Sequence, residues 1–228
     1  MAVKRRRFAR AKGHETPAKR VRTRAALVNA AFSVYALKGF DDPTIDDFIA
    51  AAGVSRGTFY NYFQTREDLL AAVAADLTTF ITSRIGSAIR TVLDPLEVIA
   101  VAVRYFVAMG AENETRAWVL ARMIPIAGDH LSPHMSERVR ESMEAAAATG
   151  RIRPRSIPAA IDLGLGLLAM AIRHNLSQRA QPYPPELVAT MALQSLGANP
   201  RDAEEVAYRP LPEVHGIDRD PMVDPAEG

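Results

Sequence analysis

An all-α fold is predicted by three features of this 228-residue sequence. Apolar residues recur at three- and four-residue spacing along most of the chain, the period of a helix that buries one face. Ser, Thr and Asp at starts and Gly at stops punctuate those stretches as caps. No segment alternates apolar and polar residues with period two, so no sheet is expected.

About nine helices are expected, in this order. Residues 1–15 are basic and aperiodic and are expected to form a disordered arm. Thr16-Pro17 opens the first helix, whose apolar face holds Leu27, Val28, Ala31, Phe32 and Tyr35. Gly39 closes it, with Phe40 placed to fold back on the last turn. Thr44, with Asp47 three residues on, caps a short second helix that stops at Gly53. Ser55 opens the next, carrying Thr58, Phe59, Tyr60, Tyr62 and Phe63. Thr65 and Asp68 start a long fourth helix through Ile85. Later starts fall at Asp94-Pro95, Glu112, Ser132-Pro133, Ser156 and Pro184-Pro185, with stops at Pro125, Gly150 and Gly197. The organisation read from this is an arm (1–15), a head (16–64), a helical body (65–197) and a flexible acidic, Pro-rich tail (198–228).

Composition narrows the function. With no cysteine, disulfide frameworks and thiolate metal sites are excluded. No uninterrupted run of 18 apolar residues points to a membrane span, and the basic N-terminus lacks an apolar stretch behind it, so a cytoplasmic location is expected. The net charge of +2 hides an asymmetry. Residues 1–24 hold ten Lys and Arg against one acid, Glu15, a local charge of +9 that leaves −7 for the remainder. A basic end on an acidic body suits contact with a polyanion at that end alone; a solubilising tail is the plainer alternative.

The stretch Thr44 to Phe63 carries the chemistry. Two short helices joined by the Ala51-Ala52-Gly53-Val54-Ser55 corner have the spacing of a helix-turn-helix, whose second helix enters the DNA major groove. Phe59 and Phe63, one turn apart, are expected to anchor that helix inward. Arg56, Gly57, Thr58, Tyr60, Asn61 and Tyr62 are left for DNA. Tyr60 suits phosphate; Arg56 and Asn61 have the geometry to read guanine and adenine, with a solvated face or phosphate contact equally open. Free N–H groups near Thr44 and Ser55 suit phosphate oxygens.

Residues 23–73 resemble the DNA-binding head of the tetracycline-repressor (TetR) family. The resemblance rests on Gly39-Phe40, Thr44, Ala52-Gly53-Val54-Ser55, Gly57-Thr58-Phe59-Tyr60, Phe63 and Thr65-Arg66-Glu67-Asp68-Leu69. It departs at Arg66, where the family has a phosphate-contacting Lys, and at Gln64, where a small residue is usual. The resemblance implies an all-α homodimer, a double-stranded DNA operator as partner, no membrane, and a body pocket for a small-molecule effector of unknown identity. It also implies a repressor whose last two body helices, about 157–179 and 184–197, pair with those of a second copy. Gly164 and Gly166 would permit that approach, or equally packing within one subunit.

The body is less legible. Met109, Trp118, Arg122, Met123, Met170, Arg173 and His174 are the candidate pocket residues, against the plainer reading of a core with flexible fillers. His130 and His134 are four apart, but Pro133 between them argues against a metal pair. No cofactor is expected, and no nucleophile elbow, P-loop or dinucleotide fingerprint is present, so an enzyme is not expected. A regulator that binds DNA without a ligand, and less plausibly a helical enzyme, are the competing readings.

Overall fold

The computed structural model describes residues 16–39, 41–127 and 133–214, and among them ten helices and no strand. The head comprises α1 (Pro17–Lys38), α2 (Ile45–Ala52) and α3 (Arg56–Tyr60), with the start of α4 (Arg66–Ile89) packed across α1. Thr16 makes no capping bond from its side chain. Proline's fixed φ and missing N–H therefore open α1. Thr44 and Thr65 each form a two-way capping box, with Asp47 and Asp68 respectively. Such a cap satisfies two backbone donors at once. Gly53 adopts φ 62°, ψ 32°, the left-handed region that only glycine enters without steric cost.

These caps aim the aromatic residues inward. Tyr35, Phe48, Phe59 and Leu69 are fully buried, with Phe63 6% exposed. The rings of Tyr35 and Phe48 lie 5.2 Å apart and those of Phe59 and Phe63 6.0 Å apart. A fully buried ring of this kind stabilises a fold by about 1.5–3 kcal/mol, so α3, only five residues long, is held by its anchors rather than by its own hydrogen bonds.

In the body, α5 (Pro95–Glu112) is the central helix. It packs against α4, α6 (Glu114–Ala127), α7 (Pro133–Ala148), α8 (Ile157–Ser177), α9 (Pro185–Ser195) and α10 (Pro200–Ala207). Its burial on nearly every side explains why its sequence is so apolar. α6 packs along α8, and α4 and α6 carry the head.

Two expectations need correction. Pro125 does not stop α6, which runs on to Ala127; a proline in the last turn removes one hydrogen bond without forbidding the helical backbone there. Residues 200–207 are not a loose tail. Asn199 caps α10 by accepting from the Arg201 N–H at 3.0 Å, and Ala203, Val206 and Ala207, spaced for one helical face, are buried against α9 and α5. The chain then runs over α5, where Arg104 Nη1 donates to the Arg209 carbonyl at 2.6 Å and the Tyr105 hydroxyl donates to that of Pro212. Two arginines fasten this strap. Arg209 pairs with Asp94 at 2.8 Å and Glu97 at 2.7 Å, and Arg151 joins Asp94 at 2.5 Å to Asp202 at 2.7 Å. By length and composition alone, α4 and α8 are each long and apolar enough to cross a membrane. α4 buries half of its apolar stretch inside the molecule and α8 only 22%. The arm (1–15), Phe40, His130 and residues from 215 onward lie outside the described residues.

Candidate functional site

The α2–α3 unit presents a polar face. Asp46, Ser55, Arg56, Gly57, Tyr60 and Asn61 are exposed, Thr58 is half-buried, and Phe48 and Phe59 lie beneath them. The Ser55 hydroxyl oxygen accepts from the Thr58 N–H at 3.1 Å and lies 2.8 Å from the Thr58 hydroxyl. Tyr60 leans edge-on against Phe59, centroids 5.5 Å apart, which fixes its ring while leaving it 39% exposed. A Cβ on Gly57 would meet only Ser55 Oγ, at 3.9 Å. Nothing inside the protein therefore requires glycine there; its effect is to let another surface approach the α3 backbone.

Electrostatics refine the expected roles. Arg56 Nη2 donates to both oxygens of Asp46, at 2.6 and 2.7 Å. The bonds from Asp46 raise the Arg56 pKa above its ordinary value. Asp47 receives Lys38 Nζ at 2.7 Å and the Thr44 N–H at 2.8 Å. The Lys38 hydrogen bond is the largest of the effects that hold its carboxyl at about 2. The start of α2, expected to suit phosphate, thus already carries two carboxylates in its first turn, the charge that a helix N-terminus favours.

Three head residues fall elsewhere than expected. Arg66 turns back onto the α1–α2 loop, where Nη1 donates to the carbonyls of Asp41 at 3.1 Å and Pro43 at 3.3 Å. It braces the loop instead of standing free for phosphate. α3 ends at Tyr60, so Asn61 and Tyr62 lie in the turn after it. Asn61 stays exposed, whereas Tyr62 is half-buried against the head core.

In the body, the candidate pocket residues do not converge. Met109 is buried in the core, while Met170 is 54% exposed on α8. His174 stacks on Tyr183 at 3.7 Å and its Nε2 lies 3.2 Å from the Gln181 carbonyl, so it ties down the α8–α9 connection. Trp118, Arg122 and Arg173 line a cavity of about 510 Å³ between head and body. Met123 lies in α6, and its side chain falls outside the described residues. The body's own cleft is a different one, of about 120 Å³, enclosed by α5, α7, α8 and α9. Ile99, Phe106, Val139, Met143, Leu165 and Leu168 are among its walls, and Ser195 is their one hydroxyl. None of these was singled out from sequence, because an apolar wall has the same composition as a core. The one available signal was glycine. A Cβ on Gly164 or Gly166 would meet nothing within 4 Å, and Gly164 is itself one of the walls of the cleft. Leu163, Met170, Leu187 and Met191, all exposed, mark an apolar face on α8 and α9.

Residues 27–73 match the model of the bacterial regulatory proteins of the tetR family, and residues 94–209 match a tetracyclin repressor-like C-terminal domain. Two curated relatives share the head: the uncharacterised HTH-type transcriptional regulator YvdT of Bacillus subtilis (strain 168), 40% identical over 53 residues, and the HTH-type transcriptional regulator SrpR of Pseudomonas putida, 36% identical over 61. These matches span 23% and 27% of this chain and only 27% and 29% of those relatives' length. Among solved structures, RolR in complex with resorcinol is 31% identical with a TM-score of 0.73, covering 87% of this chain and all of that one. RolR without ligand is 30% identical with a TM-score of 0.69, covering 84% and 99%. The head model and the body model match in chain order, the second alone spans half of the sequence, and the chain therefore belongs to the TetR family of bacterial regulatory proteins.

Proposed function

We propose that this protein is a dimeric repressor that holds a DNA operator through α3 and its neighbours and lets go when a small, mainly apolar molecule enters the body cleft. The observation that carries the reading is the α2–α3 face, where exposed Arg56, Gly57, Tyr60 and Asn61 stand on a backing of buried Phe48 and Phe59. That arrangement puts one guanidinium, one amide and one phenol where a groove can meet them over a bare stretch of backbone. Lys19, Arg20 and Arg22, exposed on the first turns of α1, add positive charge to the head.

The apolar α8–α9 face supports a dimer, since contiguous exposed apolar surface marks an interface. For the effector, a cleft of about 120 Å³ suits a single small ring, comparable to a cavity of about 150 Å³ that takes benzene. The resorcinol seated in RolR, a relative aligned over most of this chain, supports a compact aromatic ligand.

The test is a mobility shift with a duplex from directly upstream of the protein's own gene, at two salt concentrations. Selective binding that weakens steeply with salt is expected, because basic residues displace counterions from DNA. Binding equal to that of random duplex, or insensitive to salt, would remove the operator reading. Adding resorcinol to the shifted complex then tests release.

A further inference from the structure

The body cleft accounts for one cavity; the larger one, about 510 Å³, lies at the seam between head and body. Its head wall includes Tyr35 and Asp41, from the end of α1 and the loop after it. Its body wall includes Glu114, Trp118 and Arg122 of α6 and Arg173 of α8. The size falls within the range of small-molecule sites, roughly 300–1,000 Å³. Unlike the body cleft, this cavity is lined by charge.

The charges do not cancel in place. Glu114 is committed to Arg179, outside the wall. Asp41 faces Arg122 at 3.9 Å, with both side chains half or more exposed, a separation at which a solvated pair gains little. Arg173 is exposed and has no acidic partner among the described residues. Beside it Trp118 leaves 44% of its surface open. A guanidinium recognises a carboxylate with two parallel hydrogen bonds, and an indole face stacks on an aromatic ring.

We infer that this seam is a second small-molecule site, for an aromatic carboxylate, with Arg173 holding the anion and Trp118 covering the ring. A molecule there touches the end of α1, α6 and α8 together, so it braces the head against the body and biases where α3 stands. Only that last consequence rests on the operator reading; binding itself is read without DNA, and each can fail alone.

Trp118 is the single tryptophan of the chain, and it lines the seam and not the body cleft. Intrinsic fluorescence of the full-length protein is therefore a direct probe. Titration with benzoate is expected to change Trp118 emission saturably, while benzyl alcohol, which has the ring without the charge, does so at least tenfold more weakly. Arg173→Gln, at an exposed position that leaves helicity intact, is expected to weaken the benzoate response about tenfold, the scale of a lost hydrogen bond to a charged group. Arg155→Gln, exposed and away from the seam, titrates as the unaltered protein. A response to benzoate that grows linearly without saturating, an Arg173→Gln curve that overlays the unaltered one, or equal binding of benzyl alcohol would each overturn the inference.

Discussion

Two arginines in the head have the same chemistry and opposite assignments. Arg66 is spent on the carbonyls of Asp41 and Pro43, so it fixes the loop that positions α2. Arg56 is held, among the described residues, by Asp46 alone, and both side chains are more than half exposed. That pair is exchangeable, and a phosphate or a guanine edge can take the guanidinium from the carboxylate. Asp46→Asn is therefore expected to raise affinity for random duplex and to steepen the salt dependence by about one unit of log–log slope, since one more cation engages phosphate. A salt series on a non-specific duplex checks it, and an unchanged slope would leave Arg56 outside the contact set. Tyr60→Ala is expected to weaken operator binding about tenfold with helicity unchanged, since it removes one hydrogen bond to a charged acceptor. Tyr60 was legible in the sequence because the motif fixes its position relative to buried Phe59. Arg66 and Tyr62 were not, since whether a long side chain turns outward or back depends on the loop it meets, and that loop is folded by residues twenty or more positions away.

The helices, by contrast, announced their starts. Thr44, Ser55, Thr65, Asp94 and Ser156 each accept a backbone N–H in the first turn of the helix they precede, and each was readable as a cap because the requirement is local. The corner at Gly53 is equally local. Gly53→Ala is expected to cost about 1–2 kcal/mol, the penalty for a Cβ in left-handed backbone, measurable by urea denaturation. The α2 cap also carries a pH signature. The Asp47 carboxyl is lowered from 3.8 to about 2 by Lys38 first and the Thr44 N–H next. A depressed carboxylate contributes stability that is present above its unfolded pKa and is lost as pH falls through the folded one. The difference in stability between the protein and Asp47→Asn should thus be constant above about pH 5 and shrink between 3.8 and about 2; equal gaps at pH 6 and pH 2.5 would refute the assignment. What was not local was missed. α10 has a cap and a Val/Ala stripe, but eight residues rich in acid read as tail until α9 and α5 are there to bury them.

Over the whole molecule, function divides between surfaces that a sequence shows and spaces that it does not. The head's polar face belongs to one contiguous stretch of chain. The body cleft is assembled from four helices drawn from residues 99 to 196, and none of its walls differs in composition from the core beside it. The α8–α9 face sits between these extremes, since Gly164 and Gly166 stood out in the sequence and only the structure shows that space is left beside them, for Gly164 at the cleft. Leu163→Asp, on the most exposed apolar position of that face at 75%, is expected to yield a folded monomer by sedimentation equilibrium; a species of unchanged mass would place the interface elsewhere. Ala160→Phe, which fills the cleft, is expected to preserve operator binding and abolish release by the effector.

The strap that crosses α5 sets a boundary for anyone who cuts or extends this chain. A truncation after Gly197, the natural choice if residues 198–228 are taken for a dispensable tail, would strip the cover from Leu96 and Ile99 and leave Asp94 and Glu97 without Arg209. The shortened product would be sticky and acid on the same flank, prone to inclusion bodies rather than better crystals. An affinity handle or a fluorescent fusion belongs beyond Val214, the last of the described residues that packs against the core.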